Sequence, residues 1–285
     1  MSIEVVINGY FRSGTTILWH LLRQAHNNAI HLYEPFLPEL KHRLKRFKGK
    51  PDPLHKIPLW DDYFKLEGRV LNEILNVSSL LDGSPVTWDE IRHIIALLDN
   101  LDEPVYIKDV RLHNVLANIL QHTNARVYHI IRCPACVWLS HFTADELTNP
   151  DTVFGINKTF NYRHRFYLLN TFNKLKQIAP IRIKVFNWLD IFTYNWVISN
   201  YFALDGYLDF LKHNIWIYEL ITPTDLVHEF NIPENIAYSF KPMHTNTWHN
   251  MILQQIRTTI TTTTLYELYK AIDYCTNIDY YYSIL

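Results

Sequence analysis

In the run VVINGYFRSGTTILWHLL, Gly9 is followed by four residues, a second glycine at Gly14, and then Thr15-Thr16. A β-branched stretch precedes this spacing and a helical pattern follows it. That is the frame of a phosphate-binding loop, with Thr15 standing where a Walker motif has lysine. A loop of this kind turns successive backbone N–H groups outward, and the start of the helix adds a field that favours an anion. Arg12 lies within the loop and can supply the cation from another position. The spacing predicts an anion site without the usual lysine of ATP or GTP hydrolysis. The bland reading is an ordinary strand-to-helix turn.

Three further segments carry groups suited to the same chemistry. In VYHIIRCPACVWLSHF, Arg132 ends an apolar run, and Ser140 falls in the first turns of the helix that follows. An arginine fork and a hydroxyl in those places can converge on one phosphate. Lys108 and Arg111 close PVYIKDVRL, at the strand end where α/β sheets bind ligands. Glu34 closes HLYEPF, and Pro35 breaks that strand. The bland reading of Lys108 is a surface salt bridge with Asp109 or Asp102.

These segments, in this order, resemble sulfotransferases that use 3′-phosphoadenosine-5′-phosphosulfate (PAPS). Arg12-Ser13-Gly14-Thr15-Thr16 matches the family's 5′-phosphosulfate loop, which commonly reads Lys/Arg-Ser-Gly-Thr-Thr. The resemblance implies that Arg12, Thr15 and Thr16 contact the phosphosulfate oxygens, while Ser13 and Gly14 contribute backbone donors. Arg132, with a proline two residues later and Ser140 eight residues later, is similar to the 3′-phosphate segment. Cys133 and Ala135 stand where that segment usually has Asp and often Arg. Lys108-Asp109-Val110-Arg111-Leu112 resembles a Lys-Asp-Pro-Arg-Leu segment, with Val110 in place of proline, and implies that Lys108 neutralises the transferring group.

For the base, which must take a proton from the acceptor, the resemblance points to Glu34, through the Glu-Pro pair of carbohydrate sulfotransferases, or to His113. Tyr218-Glu219-Leu220 is similar to a late family strand and reads as structural support. The implied reaction moves a sulfuryl group from PAPS to a hydroxyl or amine of an unidentified acceptor, with carbohydrate among the candidates. It needs no metal and leaves adenosine 3′,5′-bisphosphate. Two alternatives remain open: a P-loop nucleotide or small-molecule kinase, and a noncatalytic nucleotide-binding relative.

Cys133-Pro134-Ala135-Cys136 is also a Cys-x-x-Cys motif between a strand and a helix, where thiol redox proteins place their cysteines. A buried pair of small apolar side chains is the plainer reading. Zinc would want a further well-spaced Cys or His pair, which the sequence does not display.

The elements that must hold these residues read as α/β. Short apolar runs at 3–7, 29–34, 104–109, 125–132 and 215–221 are strand candidates, and their continuity predicts a buried, mainly parallel sheet. Helical patterns separate them, among them 87–100 with a Thr87/Glu90 capping box, 112–122 and 137–146. The sequence predicts a three-layer, doubly wound fold in one domain over residues 1–285. A variable helical insertion occupies about 36–103, and the C-terminal part is helical, including a closing helix at 264–275. KHRLKRFKGK at 41–50 is the one marked basic run, read as a solvated helix face. The 27 basic and 28 acidic side chains nearly cancel, so net charge announces neither nucleic acid nor a membrane surface. Three cysteines, Cys133, Cys136 and Cys275, are too few for a disulfide framework and favour a reducing compartment such as the cytoplasm. Polar residues interrupt every apolar stretch short of a membrane span, and MSIEVVINGY lacks the pattern of a secretion signal.

Overall fold

The computed structural model describes residues 2–53, 55–179, 184–205, 215–240, 248–261, 265 and 268–270. Five strands form an all-parallel sheet: β1 (Ile3–Gly9), β2 (Ile30–Tyr33), β3 (Val105–Asp109), β4 (Arg126–Ile131) and β5 (Ile215–Ile217), in the order β2-β3-β1-β4-β5. Every residue of β2 and β3 is buried, as expected of strands covered on both faces. The strands fall on the predicted apolar runs: β1 extends two residues past 3–7, to Gly9, while β2, β3 and β4 are trimmed by one or two residues. The last departs most, because Tyr218–Leu220 turns into a 3₁₀ segment as soon as the pairing with β4 ends at Ile217.

The helices are α1 (Thr15–Ala25), α2 (Leu40–Phe47), α3 (Gly68–Leu80), α4 (Trp88–Asp99), α5 (Leu116–His122), α6 (Pro134–Leu139), α7 (Pro150–Val153), α8 (Tyr162–Ile178), α9 (Trp188–Leu204), α10 (Pro223–Phe230), α11 (Glu234–Ala237) and α12 (His249–Thr261). The Thr87/Glu90 capping box opens α4 as predicted, with Thr87 N–H donating to Glu90 Oε2 at 2.6 Å. Two helices start elsewhere than predicted. The chain after β3 is held in a turn, its Leu112 N–H donating to Asn8 Oδ1 at 3.3 Å, so α5 waits until Leu116. Pro134 takes the first turn of α6, where its missing N–H costs nothing, and the helix ends at Leu139. Most of the predicted closing helix at 264–275, with Cys275, lies outside the described residues.

The sheet, α1–α5 and α10–α11 share one hydrophobic core. A second core, rich in aromatics, joins α6, α8, α9 and α12. Helix α9 is apolar on all sides and buried accordingly, with Phe192, Tyr194 and Trp196 almost inaccessible. The basic run forms α2, which is amphipathic rather than merely solvated: Leu40, Leu44 and Phe47 enter the core.

β1 lies between β3 and β4, so the chain winds first to one side of it and then to the other. The crevice at the carboxyl ends beside β1 is therefore the expected ligand site. The register pairs Tyr33 with Lys108, Lys108 with Ile7, Gly9 with Ile130, and Ile131 with Ile217. Glu34, Lys108, the loop after Gly9, Arg132 and Tyr218 thereby emerge along one edge.

Behind that edge runs a buried polar chain. Asn8 Nδ2 donates to His129 Nδ1 at 2.9 Å and lies 3.2 Å from His113 Nδ1; His129 Nε2 donates to Asn200 Oδ1 at 2.9 Å. Burial lowers His129 to about 4, and it lowers His31, on the edge strand β2, to about 4 as well. Between pH 6.5 and 4 the unfolded chain takes up protons that these folded imidazoles refuse. Their contribution is complete above about pH 6.5 and is lost as pH falls through about 4. The urea midpoint is expected to drop over that window. In NMR, the His129 ring resonances should stay at their neutral shifts down to about pH 5; a midpoint near 6.5 would contradict this placement.

Candidate active site

The loop after β1 is built by its own backbone. Ser13 N–H and Oγ both bond the Tyr10 carbonyl, at 3.0 and 2.5 Å, which buries Ser13 and makes its hydroxyl a brace for the turn. Arg12 and Gly14 adopt φ of 72° and 89°, and Gly14 then caps α1. Thr16 Oγ1 lies 3.0 Å from the Tyr33 hydroxyl. A Cβ on Gly14 would overlap the ring carbons of Tyr218, which closes over the loop from the end of β5. Gly14→Ala is therefore expected to cost about 1–3 kcal/mol, from the left-handed backbone together with displacement of that ring. Adding Tyr218→Ala should recover the steric part alone, a separation that chemical denaturation of the single and double variants measures.

Two guanidinium groups meet beside this loop. Arg12 Nη2 donates to the Ser140 carbonyl at 3.2 Å, and Arg132 Nη1 donates to the Arg12 carbonyl at 3.0 Å. Arg132 also lies over the Tyr218 ring, 5.0 Å from its centre, with Nε 3.7 Å from Glu219 Oε1, too far for a hydrogen bond. The Nε atoms of both arginines are buried without a hydrogen-bond partner. Burial, and the second cation beside it, lower the pKa of Arg12. Two close, under-satisfied cations are costly unless an anion joins them. Ser140 is nearby, but its Oγ donates to the Val137 carbonyl at 2.6 Å, so its backbone oxygen rather than its hydroxyl meets Arg12.

On the other side stands a buried ion network. Lys108 Nζ lies 2.6 Å from Glu34 Oε1, and Arg111 Nη1 lies 3.2 Å from Glu34 Oε2 and 3.1 Å from Asp109 Oδ1. The surface salt bridge considered for Lys108 is thus replaced by a buried pair across β2 and β3; the lysine is 1% exposed. Asp109 organises the region, accepting from the N–H groups of Phe36, Val110 and Arg111 at 3.0, 2.7 and 3.0 Å. Glu34, forced to a φ of 51° ahead of Pro35, is driven up by burial, but Lys108 and Arg111 outweigh this and hold it at about 2. Burial pushes Asp109 up, opposed chiefly by Arg111.

These groups share a cavity of about 1060 Å³ lined by Arg12, Thr16, Glu34, Lys108, Arg132 and Ser140, among others. His113 is not on its wall: it is 1% exposed behind β1, and burial lowers its pKa well below the usual range. His55 and Tyr33 line the cavity and were not singled out by sequence. Tyr33 links both sides, with Lys108 Nζ 4.3 Å above its ring and the His55 ring against it at 6.2 Å. His55 Nδ1 is held by Asp52 Oδ1 at 2.9 Å. Asp52 and His55 stand at i and i+3, a spacing too common to flag them.

No protein-family model matches the chain. A protein of Archaeoglobus fulgidus described as uncharacterized is 27% identical over 172 residues, covering 58% of this chain and 55% of its own length. The chain thus spans about half the length of that relative. Among solved structures, a sulfotransferase domain from the curacin biosynthetic pathway aligns over 92% of this chain and 98% of its own, with 13% identity and a TM-score of 0.40. Neither match assigns an activity. Among the described residues, no helix is long and apolar enough to cross a membrane.

Proposed function

We propose that this protein transfers a sulfuryl group from PAPS to a hydroxyl or amine of an acceptor bound in the same cavity. The observation that carries the reading is the pair of guanidinium groups, part-buried Arg12 and buried Arg132, whose buried Nε atoms make no hydrogen bond, beside a glycine-capped loop. A nucleotide bearing phosphates at both ends fits them: Arg12, Thr15 and Thr16 would hold the 5′ end and Arg132 the 3′-phosphate, with Ser140 joining once its hydroxyl turns from the Val137 carbonyl. When bound, PAPS supplies an activated sulfuryl group and a 5′-phosphate leaving group. Arg12 stabilises the negative charge that grows toward that phosphate, and Lys108, already desolvated, lowers the charge on the transferring group.

Glu34 serves this arrangement as counter-ion. Both its oxygens are engaged and its pKa of about 2 makes it a weak proton acceptor. We assign proton removal to His55, which Asp52 orients through Nδ1 and which faces the cavity next to Tyr33. His55→Asn is expected to lower kcat by about 10²-fold with unchanged melting. Glu34→Gln should instead lower stability. Loss of kcat without loss of stability in Glu34→Gln would return the base to Glu34.

The activity itself is tested by incubating the protein with radiolabelled PAPS and fractionated small molecules and glycans of its source. Label moving to an acceptor in wild type, and failing to move in Arg12→Ala, is the expected result. Release of inorganic sulfate only, or no transfer to any fraction, would defeat the reading.

A further inference from the structure

We propose that Cys133, Cys136 and His249 form a binding site for a soft divalent transition-metal ion of the zinc class at the wall of the cavity. Cys133 follows β4, Cys136 lies on α6 and His249 opens α12, which packs against α6. Cys133 Sγ and His249 Nε2 are 3.2 Å apart although 116 residues separate them in sequence. The donor atoms of all three residues lie within 4.8 Å of one another. Zinc bound at about 2.3 Å from sulfur and 2.0–2.1 Å from imidazole nitrogen would hold such atoms about 3.5 Å apart. The Cys133–His249 pair needs only a few tenths of an ångström of adjustment, and the widest separation in the trio, at most 4.8 Å, closes by no more than about 1.3 Å.

Three features make this a site rather than a chance meeting. The residues are two thiols and one imidazole, the donor set that zinc prefers, with the Cys-x-x-Cys spacing that zinc sites use. His249 is oriented from behind: its Nδ1 is 3.2 Å from Asn250 Oδ1, so the N–H sits there and the Nε2 lone pair points at Cys133. All three are buried, at 7%, 8% and 2% exposure, while Cys136 and His249 also line the cavity, so that among the described residues a fourth position opens to water or a small ligand. Binding forms two metal–sulfur bonds and one metal–nitrogen bond, and the two thiol protons pass to solvent. No oxidant or reductant takes part. The fold thus supplies the third ligand that sequence spacing does not display.

The test titrates reduced, metal-free full-length protein with Zn²⁺ in competition with a chromogenic chelator, and separately with Co²⁺. One ion per chain with a dissociation constant below about 1 µM is expected, together with a thiolate-to-cobalt charge-transfer band. Cys275→Ser should leave both unchanged. His249→Gln should weaken binding at least about tenfold, and Cys133→Ser or Cys136→Ser should abolish the charge-transfer band. Should the serine variants fail to fold, wild type decides: bound Zn²⁺ should protect Cys133 and Cys136, located by peptide mass spectrometry, from alkylation, and a chelator should remove that protection. Micromolar or weaker binding, equal binding in the folded variants, or alkylation unaffected by Zn²⁺ would overturn the proposal.

Discussion

Arg12→Ala is expected to slow sulfuryl transfer by about 10²–10³-fold, the size of effect seen when one preorganised donor to a developing charge is removed. Arg12 combines three conditions that make a cation effective: it is partly withdrawn from water, it sits next to the loop N–H groups, and its Nε has no other partner. Its removal also breaks the contact with the Ser140 carbonyl, so some loss in nucleotide affinity should accompany the fall in rate. Arg12→Lys keeps the charge but not the fork, and should recover only part of the activity. Single-turnover rates at saturating PAPS separate the two contributions. Unchanged rates in Arg12→Ala would remove the loop from the chemistry.

Lys108→Met and Glu34→Gln are each expected to cost about 2–4 kcal/mol of stability, because either change leaves a buried ion without its closest partner. Arg111 still faces Glu34 in the first variant, which holds the cost below that of a fully orphaned carboxylate. The double variant should be more stable than the sum of the two losses predicts, a coupling measurable in a urea denaturation cycle. The network also has a pH signature. With Glu34 at about 2 when folded against 4.5 ordinarily, its contribution is present above about pH 4.5 and is lost as pH falls through about 2. A Lys108→Met protein as stable as wild type at neutral pH would mean that the pair is not a structural element.

Much of this site was legible because its signals are local. Arg12, Gly14, Thr15 and Thr16 share one turn, and the β-branched run before it and the helical spacing after it mark β1 and α1 whatever they pack against. Arg132 could be placed for the same reason, one residue beyond β4. What could not be read depends on which strand lies beside which. Lys108 meets Glu34 because β2 and β3 are neighbours, a partner 74 residues away that the nearby Asp109 and Asp102 do not foreshadow. Tyr218 closes over Gly14 because β5 pairs with β4, and His249 reaches Cys133 because α12 packs on α6. His113 shows the converse error: a histidine close in sequence to Lys108 lies behind the sheet, since Asn8 draws Leu112 and His113 toward β1. Asp109 stands inside the Lys-Asp-Val-Arg-Leu segment, but its role depends on the neighbouring strand, since its carboxylate fixes both the β2 exit and Arg111.

The most direct measurement is calorimetric titration of the purified protein with adenosine 3′,5′-bisphosphate and with adenosine 5′-monophosphate, repeated on Arg132→Ala. Two charge-assisted hydrogen bonds to the extra phosphate should make the bisphosphate bind about 10²-fold more tightly, and Arg132→Ala should erase most of that preference. Equal affinity of wild type for the two nucleotides, or a preference that survives in Arg132→Ala, would contradict the account.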